Sequence, residues 1–284
     1  MRVDVGGMRL WFDVGGAGLE PHGSDMRSRP TLLLLHGGPG SFDHTYFKPD
    51  FAAATGFAQV VYLDLPGHGR SDWGDAEAWS FEMAGDAVHG FCQRLGIDRP
   101  VVLGHSFGGP VAIAYASRHP DHPDALVLQS TFARFDFDRV VEGFRDLAGD
   151  EIASIVRRSY EGDPTVTSEE WERCWKLFGP WVPGEVERSR IPRNEALNEA
   201  GGRLMLEFDL RADLAGIRCP TLVSVGALDP ISPVWAGQEM IDGLTGADVE
   251  LDVIEDAGHF PWRDRPKRYW ESLEAFVAYI DGPW

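Results

Sequence analysis

Six short, nearly unbroken apolar runs interleaved with stretches of helical periodicity constrain this chain more than any other feature. Thr31–Leu35 is one, and the same look returns at Gln59–Leu63, Pro100–Leu103, Ala125–Leu128, Thr221–Val225 and Val249–Ile254. Runs this short and this apolar read as strands buried on both faces. Between them, Phe81–Leu95, Phe107–Arg118, Val234–Leu244 and Lys267–Ile280 repeat their apolar residues at helical spacing. Such alternation makes βαβ units and a mostly parallel sheet, and right-handed crossovers then put helices on both of its faces. Ahead of the first run, residues 2–14 read as two strands around the Gly6-Gly7 turn, and Gly15–Arg29 reads as a loop.

The alternation stops after residue 130. From Thr131 to about Asp209 the pattern is helical and aromatic, and no buried-strand run recurs until Thr221. The expected organisation is an α/β core over residues 1–130 and 210–284 with a helical lid (cap) subdomain over 131–209. Aromatics such as Phe132, Phe135, Tyr160 and Phe178 can form that subdomain's own core or wall an apolar pocket over the C-terminal edge of the sheet. Trp175 and Trp181 are the lid aromatics expected to meet substrate.

Gly104-His105-Ser106-Phe107-Gly108 matches GxSxG. By chance a chain of this length and composition holds about 0.2 such matches, so the motif needs its structural context. That context is present: Pro100–Leu103 reads as a buried strand before it, and Pro110–Ala116 reads as a helix after it, with Pro110 tolerable only in the first turn. A turn this sharp between strand and helix strains the serine backbone, and glycines two residues either side remove side chains that would clash. It presents Oγ beside a helix N-terminus, where free N–H groups favour developing negative charge. The bland alternative is a glycine-rich turn with an incidental serine, which leaves the strand–turn–helix register unexplained.

A serine nucleophile needs a base, and the base needs an orienting carboxylate. His259, in Asp256-Ala257-Gly258-His259-Phe260, follows the last apolar run, and Asp229, in Gly226-Ala227-Leu228-Asp229, follows the preceding one. Both fall at the same sheet edge as Ser106, in the chain order Ser…Asp…His. Asp256 competes for the acid role, but an acid on a separate strand can face the imidazole edge turned away from serine. For the oxyanion, the N–H of Phe107 is one expected donor; the loop His36-Gly37-Gly38-Pro39-Gly40 supplies the second, assigned to Gly38. Of the other histidines, His36 belongs to the oxyanion loop, His105 to the serine turn and His68 to the turn Pro66-Gly67-His68-Gly69, and most read as surface or packing residues.

Composition narrows the partners. Twenty-six basic against 45 acidic residues leave a net charge of −19, which repels phosphate backbones and anionic membranes, so no nucleic-acid or membrane partner is expected. Cys92, Cys174 and Cys219 lie far apart without metal-ligand spacing, which argues against a bound metal and against a disulfide scaffold. No Gly-Lys-Ser/Thr follows the glycines at 37–40, so that loop is no phosphate cradle, and no cofactor is expected. The opening MRVDVGGMRLW holds no apolar leader, and a cytoplasmic protein is expected.

By these residues the chain resembles the α/β-hydrolase superfamily over nearly its whole length. Within it, HGGPG at 36–40 looks like the prolyl aminopeptidase (proline iminopeptidase) group, serine peptidases that release N-terminal residues from short peptides. The resemblance implies a triad of Ser106, Asp229 and His259 with Gly38 and Phe107 at the oxyanion. It also implies a carboxylate for the substrate amine, and Asn198-Glu199 resembles the group's lid Asn-Glu, making Glu199 a substrate-binding candidate. Three positions depart from the group: GHSFG stands where GGSWG is common, DLPGHGRS at 64–71 where DQRGxGRS is common, and Pro230 where some members carry a second glutamate. The expected activity is cofactor-free serine hydrolysis of a small amide or ester, or of a short peptide, with an apolar acyl part. Carboxylesterase or lactonase activity is the alternative within that class, and a catalytically silent scaffold that binds a small apolar ligand is the alternative outside it.

Overall fold

The computed structural model describes residues 1–180, 182, 184 and 188–280. Its strands are β1 (Arg2–Val5), β2 (Met8–Gly15), β3 (Leu19–His22), β4 (Asp25–Ser28), β5 (Thr31–Leu35), β6 (Gln59–Leu63), β7 (Val101–His105), β8 (Ala125–Gln129), β9 (Thr221–Gly226) and β10 (Val249–Ile254). Eight of them form one sheet in the order β1-β2-β6-β5-β7-β8-β9-β10. β1 and β2 pair antiparallel, β2 joins β6 antiparallel, and every neighbour from β6 to β10 is parallel. In β7, β8 and β9 every residue is buried, which requires cover on both faces and matches the unbroken apolar runs. Leu32, Leu33, Leu34 and Leu35 are each fully buried, and at about 1.5–3 kcal/mol per leucine this one strand is a large stabilising term.

Two expectations at the margins are corrected. Residues 15–29 are not all loop, because β3 and β4 pair as a separate two-stranded hairpin with Gly23 in the turn at φ +62°. Its apolar residues Leu19 and Met26 are exposed, so no buried face leaves a period in the sequence; backbone pairing and the ion pairs of Glu20 with Arg27 and Arg29 hold it. β10 is an edge strand whose residues are mostly half-buried, with only Asp252 and Ile254 fully so, rather than a strand buried on both faces.

Among the described residues the α-helices are α1 (Lys48–Phe51), α2 (Phe81–Leu95), α3 (Gly108–Arg118), α4 (Phe137–Ala148), α5 (Asp150–Tyr160), α6 (Ser168–Trp175), α7 (Glu195–Glu207), α8 (Val234–Gly243), α9 (Pro261–Asp264) and α10 (Pro266–Ile280). Among the described residues, none is long and apolar enough to cross a membrane. α4 to α7 all lie between β8 and β9. That excursion leaves and re-enters the core at one place, where Arg134 and Asp209 form a β-bridge and Leu210 N–H donates to Ala133 C=O at 2.8 Å.

The parallel register positions the site. Leu35 pairs with Gly104, His105 with Gln129, Gln129 with Ser224, and Gly226 with Ile254. The loops after β5, β7, β8, β9 and β10 therefore emerge along a single edge; those after β5, β7, β9 and β10 carry Gly38, Ser106 with Phe107, Asp229 and His259, and the connection after β8 carries Trp175 and Glu199.

Candidate active site

Ser106 sits between β7 and α3 at φ +53°, a left-handed conformation that costs a non-glycine residue of order 1–3 kcal/mol. Its surroundings hold it there. Ser106 N–H donates to Gln129 C=O at 3.1 Å, while its C=O accepts from Gly109 N–H at 2.9 Å and from Thr131 Oγ1 at 2.7 Å. Both flanking glycines are sterically required: a Cβ on Gly104 would lie 2.5 Å from Gly108 O, and one on Gly108 would lie 2.2 Å from Leu35 O.

Asp229 and His259 meet across the β9 and β10 loops. His259 Nδ1–H donates to Asp229 Oδ2 at 2.7 Å, and Asp229 Oδ1 accepts from Ile231 N–H at 2.9 Å and Ser232 N–H at 3.1 Å. Both residues are buried. A carboxylate at Nδ1 keeps the imidazole proton there and leaves Nε2 with a lone pair. Asp256, the competing acid, points elsewhere: its side chain is 72% exposed and pairs with Arg265 at 2.8 Å.

Gly38 and Phe107 line the same cleft as Ser106 and His259. Phe107 opens α3, where the first N–H groups of a helix have no intrahelical acceptor. The Gly38 N–H belongs to the trans peptide whose C=O is that of Gly37, and that C=O accepts from His36 Nδ1–H at 2.6 Å. Fixing one end of a planar trans peptide fixes the antiparallel N–H as well. The loop is tied down again at Gly40, whose N–H donates to His68 Nε2 at 2.9 Å, while His68 Nδ1–H donates to Pro66 C=O at 2.9 Å. Nε2 of His68 accepts from Gly40 N–H and that of His36 accepts from Leu65 N–H at 3.1 Å, so both rings must be neutral. Burial lowers the pKa of His36 and pushes that of His68 down to about 3.

That depression fixes a pH dependence of stability. Between about pH 6.5 and about pH 3, His68 is protonated in the unfolded chain and neutral in the folded one, so acidification favours unfolding. Each such histidine removes about 1.4 kcal/mol per pH unit through that window. Urea unfolding at pH 7, 6 and 5 should give falling stability, with a slope shallower by about this amount in His68→Gln. Parallel slopes for the two proteins would contradict a neutral His68.

The cleft encloses about 630 Å³ including its mouth. Its walls are aromatic: Phe42, Phe132, Phe135, Tyr160, Trp175 and Phe178 contribute, with Met205, Ile231 and Phe260. Among the described lining residues there is no Asp, Glu, Lys or Arg. Trp175 lines the cleft; Trp181 lies outside the described residues. Glu199 does not reach the cleft, which corrects the expectation for an amine-binding carboxylate. Asn198 faces inward to Ser41 at 2.7 Å and Gly202 and Met205 line the cleft, so Glu199, turned about 100° from Asn198 on the helix, points outward. Its side chain is 81% exposed, 3.7 Å from Arg203.

Several lining residues escaped the sequence reading. Phe42 and Ile231 stand in loops with no pattern to mark them, whereas Phe260 adjoins His259 and adjacency alone could have flagged it. The buried group Asp43, His44 and Asp64 has metal-ligating side chains close together, but their atoms are engaged. Asp64 accepts from His44 N–H, His44 Nδ1–H and Arg70 N–H, and Asp43 caps the turn at Thr45. The group is a clasp on the 64–71 turn.

Residues 30–266 match the family model described as alpha/beta hydrolase fold. A protein of Caulobacter sp. (strain K31) bearing the name carbamate hydrolase RutD is 30% identical over 87% of this chain and 90% of its own. The proline iminopeptidase of Clostridium botulinum (strain Hall) is 29% identical over 89% of this chain and 92% of its own. Among solved structures, that of VinJ superposes with a TM-score of 0.80 at 22% identity, covering 99% of this chain and 98% of the other.

Proposed function

The chain belongs to the α/β-hydrolase fold family, and from that premise we propose that it is a serine hydrolase of uncharged carbonyl substrates with an apolar acyl part. One observation carries this reading: Ser106 and the Asp229–His259 pair open into an aromatic cleft with no charged carboxylate or cation in its described lining. In the proposed reaction His259 Nε2 takes the Ser106 Oγ proton as Oγ bonds to the carbonyl carbon. Negative charge on the carbonyl oxygen is met by the N–H groups of Gly38 and Phe107, while Asp229 holds the imidazolium. The tetrahedral adduct collapses, the leaving group departs with the proton from His259, and an acyl-serine remains. Water, deprotonated by His259, then releases the acid and restores Ser106. The helical excursion between β8 and β9 serves as the lid, supplying Tyr160, Trp175, Phe178 and Met205 to the acyl wall.

An aminopeptidase reading has the likeness to the iminopeptidase in its favour, but it needs a partner for the substrate ammonium. An unpaired cation in a partly dry cleft costs several kcal/mol, and Glu199 faces solvent. Hydrolysis of p-nitrophenyl esters of apolar acids, lactones and amino-acid arylamides should show kcat/KM for the uncharged esters at least about 100-fold above that for free-amine substrates. Glu199→Gln should leave both within about threefold. A preference for amine substrates that Glu199→Gln selectively abolishes would establish the aminopeptidase instead. Failure of the wild type to take up one equivalent of an aryl phosphonate would leave the silent scaffold.

A further inference from the structure

Two buried side chains outside the triad join the proposed oxyanion loop to the His259 loop. Gly37 N–H donates to Tyr46 Oη at 2.8 Å, Tyr46 Oη lies 2.8 Å from His105 Nδ1, and His105 Nε2 lies 2.9 Å from His259 C=O. Tyr46 is 7% exposed and His105 2%, so water does not substitute for these bonds. The direction of the whole chain follows from its ends. A backbone N–H can only donate and a carbonyl can only accept. His105 must therefore carry its proton on Nε2 to reach His259 C=O. Neutral His105 then has a lone pair on Nδ1, which accepts from Tyr46 O–H, and the Tyr46 oxygen is left to accept from Gly37 N–H. One arrangement satisfies every group, and burial keeps His105 in the neutral form that it needs.

We propose that Tyr46 and His105 are positioning residues for the reaction above, a hydrogen-bond relay that sets the oxyanion donors and His259 in one register. The proposal rests on the serine-hydrolase reading. Gly37 precedes the peptide that carries the Gly38 N–H, and His105 precedes Ser106, so the relay touches the backbone on either side of the reacting atoms. His36 fixes that peptide from its carbonyl side; Tyr46 fixes it from the preceding N–H. Neither Tyr46 nor His105 supplies a proton or a bond to substrate. Buried networks of this kind hold geometry because each member, once unpaired, is costly to leave in place.

The test uses Tyr46→Phe, His105→Gln and the double variant, each titrated with an aryl phosphonate so that kcat is expressed per active serine. Tyr46→Phe should lower kcat about 10–100-fold with KM within about threefold, since the donors it positions act on charge that appears only in the transition state. Affinity for an arylboronic acid, whose tetrahedral adduct carries the oxyanion, should fall by the same factor as kcat. The double variant should lose no more than about twofold beyond the worse single, because a relay once cut is cut. A packing role predicts a lower active fraction with normal kcat per active serine, and that result would overturn the relay. So would fully additive losses, or a Tyr46→Phe enzyme with wild-type kcat and boronate affinity. If Tyr46→Phe does not fold, His105→Gln carries the same kcat and boronate readouts alone. A wild type that takes up no phosphonate would instead remove the serine-hydrolase reading and the relay with it.

Discussion

Ser106→Ala leaves the fold intact and lowers kcat by about 10⁴–10⁶-fold, because nucleophile, base and orienting acid act as a unit whose loss at one member removes most of the whole. The fold survives for a geometric reason. Ser106 is anchored through its backbone to Gln129, Gly109 and Thr131, and alanine keeps every one of those bonds. Steady-state kinetics on the best ester of the panel, with circular dichroism and a thermal melt alongside, measure both halves. A folded Ser106→Ala protein within tenfold of wild type would transfer the nucleophile role elsewhere.

Asp229→Asn should be nearly as damaging, at about 10⁴-fold in kcat. The Asp229 oxygen that faces His259 accepts the Nδ1–H at 2.7 Å, and its other oxygen is committed to Ile231 and Ser232. With that second oxygen fixed as an acceptor, asparagine turns its NH₂ toward the imidazole. The ring then moves its proton to Nε2, and the lone pair that would take the serine proton is gone. Asp256→Asn provides the contrast. Asp256 is exposed, its pair with Arg265 is a surface contact worth about 0–1 kcal/mol, and its φ of +54° suits asparagine as well as aspartate. Activity should stay within about twofold. The reverse order of effects would move the orienting role to Asp256.

What could be read before the structure follows from where each residue gets its information. β5 to β9 were legible because a strand buried on both faces must be apolar at nearly every position, a signal that survives without context. The β3–β4 hairpin was not, since a pair of strands with two solvated faces imposes no period on its residues. The places of Ser106 and Asp229 could be read because each stands just beyond such a strand, and that of His259 because the run of β10 is apolar enough to mark a strand even at the edge; parallel pairing brings those strand ends to one edge. Glu199 could not: a neighbouring residue in the motif fixes its position along α7, while its outward direction depends on the phase with which α7 docks. The cleft wall was only half visible for a related reason. The aromatics could be listed, but which of them share one space is decided by packing between residues more than a hundred positions apart.

The bridge between Arg134 and Asp209 has a consequence for how such a chain can change. An excursion of some seventy residues that begins and ends at one point adds little closure entropy over a much shorter one, since each doubling of length costs only about 0.6 kcal/mol. Segments of different length and composition can therefore be spliced between those two anchor points while the strand register stays as it is. The hydrogen-bonded edge that holds Ser106, Asp229 and His259 has no such tolerance, because a single-residue slip there turns every side chain to the opposite face. A graft between Arg134 and Asp209 must therefore supply again only the bonds that the excursion gives the site's loops: the one that Phe178 C=O accepts from His259 N–H, and those that Asn194 donates to Gly40 and Gly67.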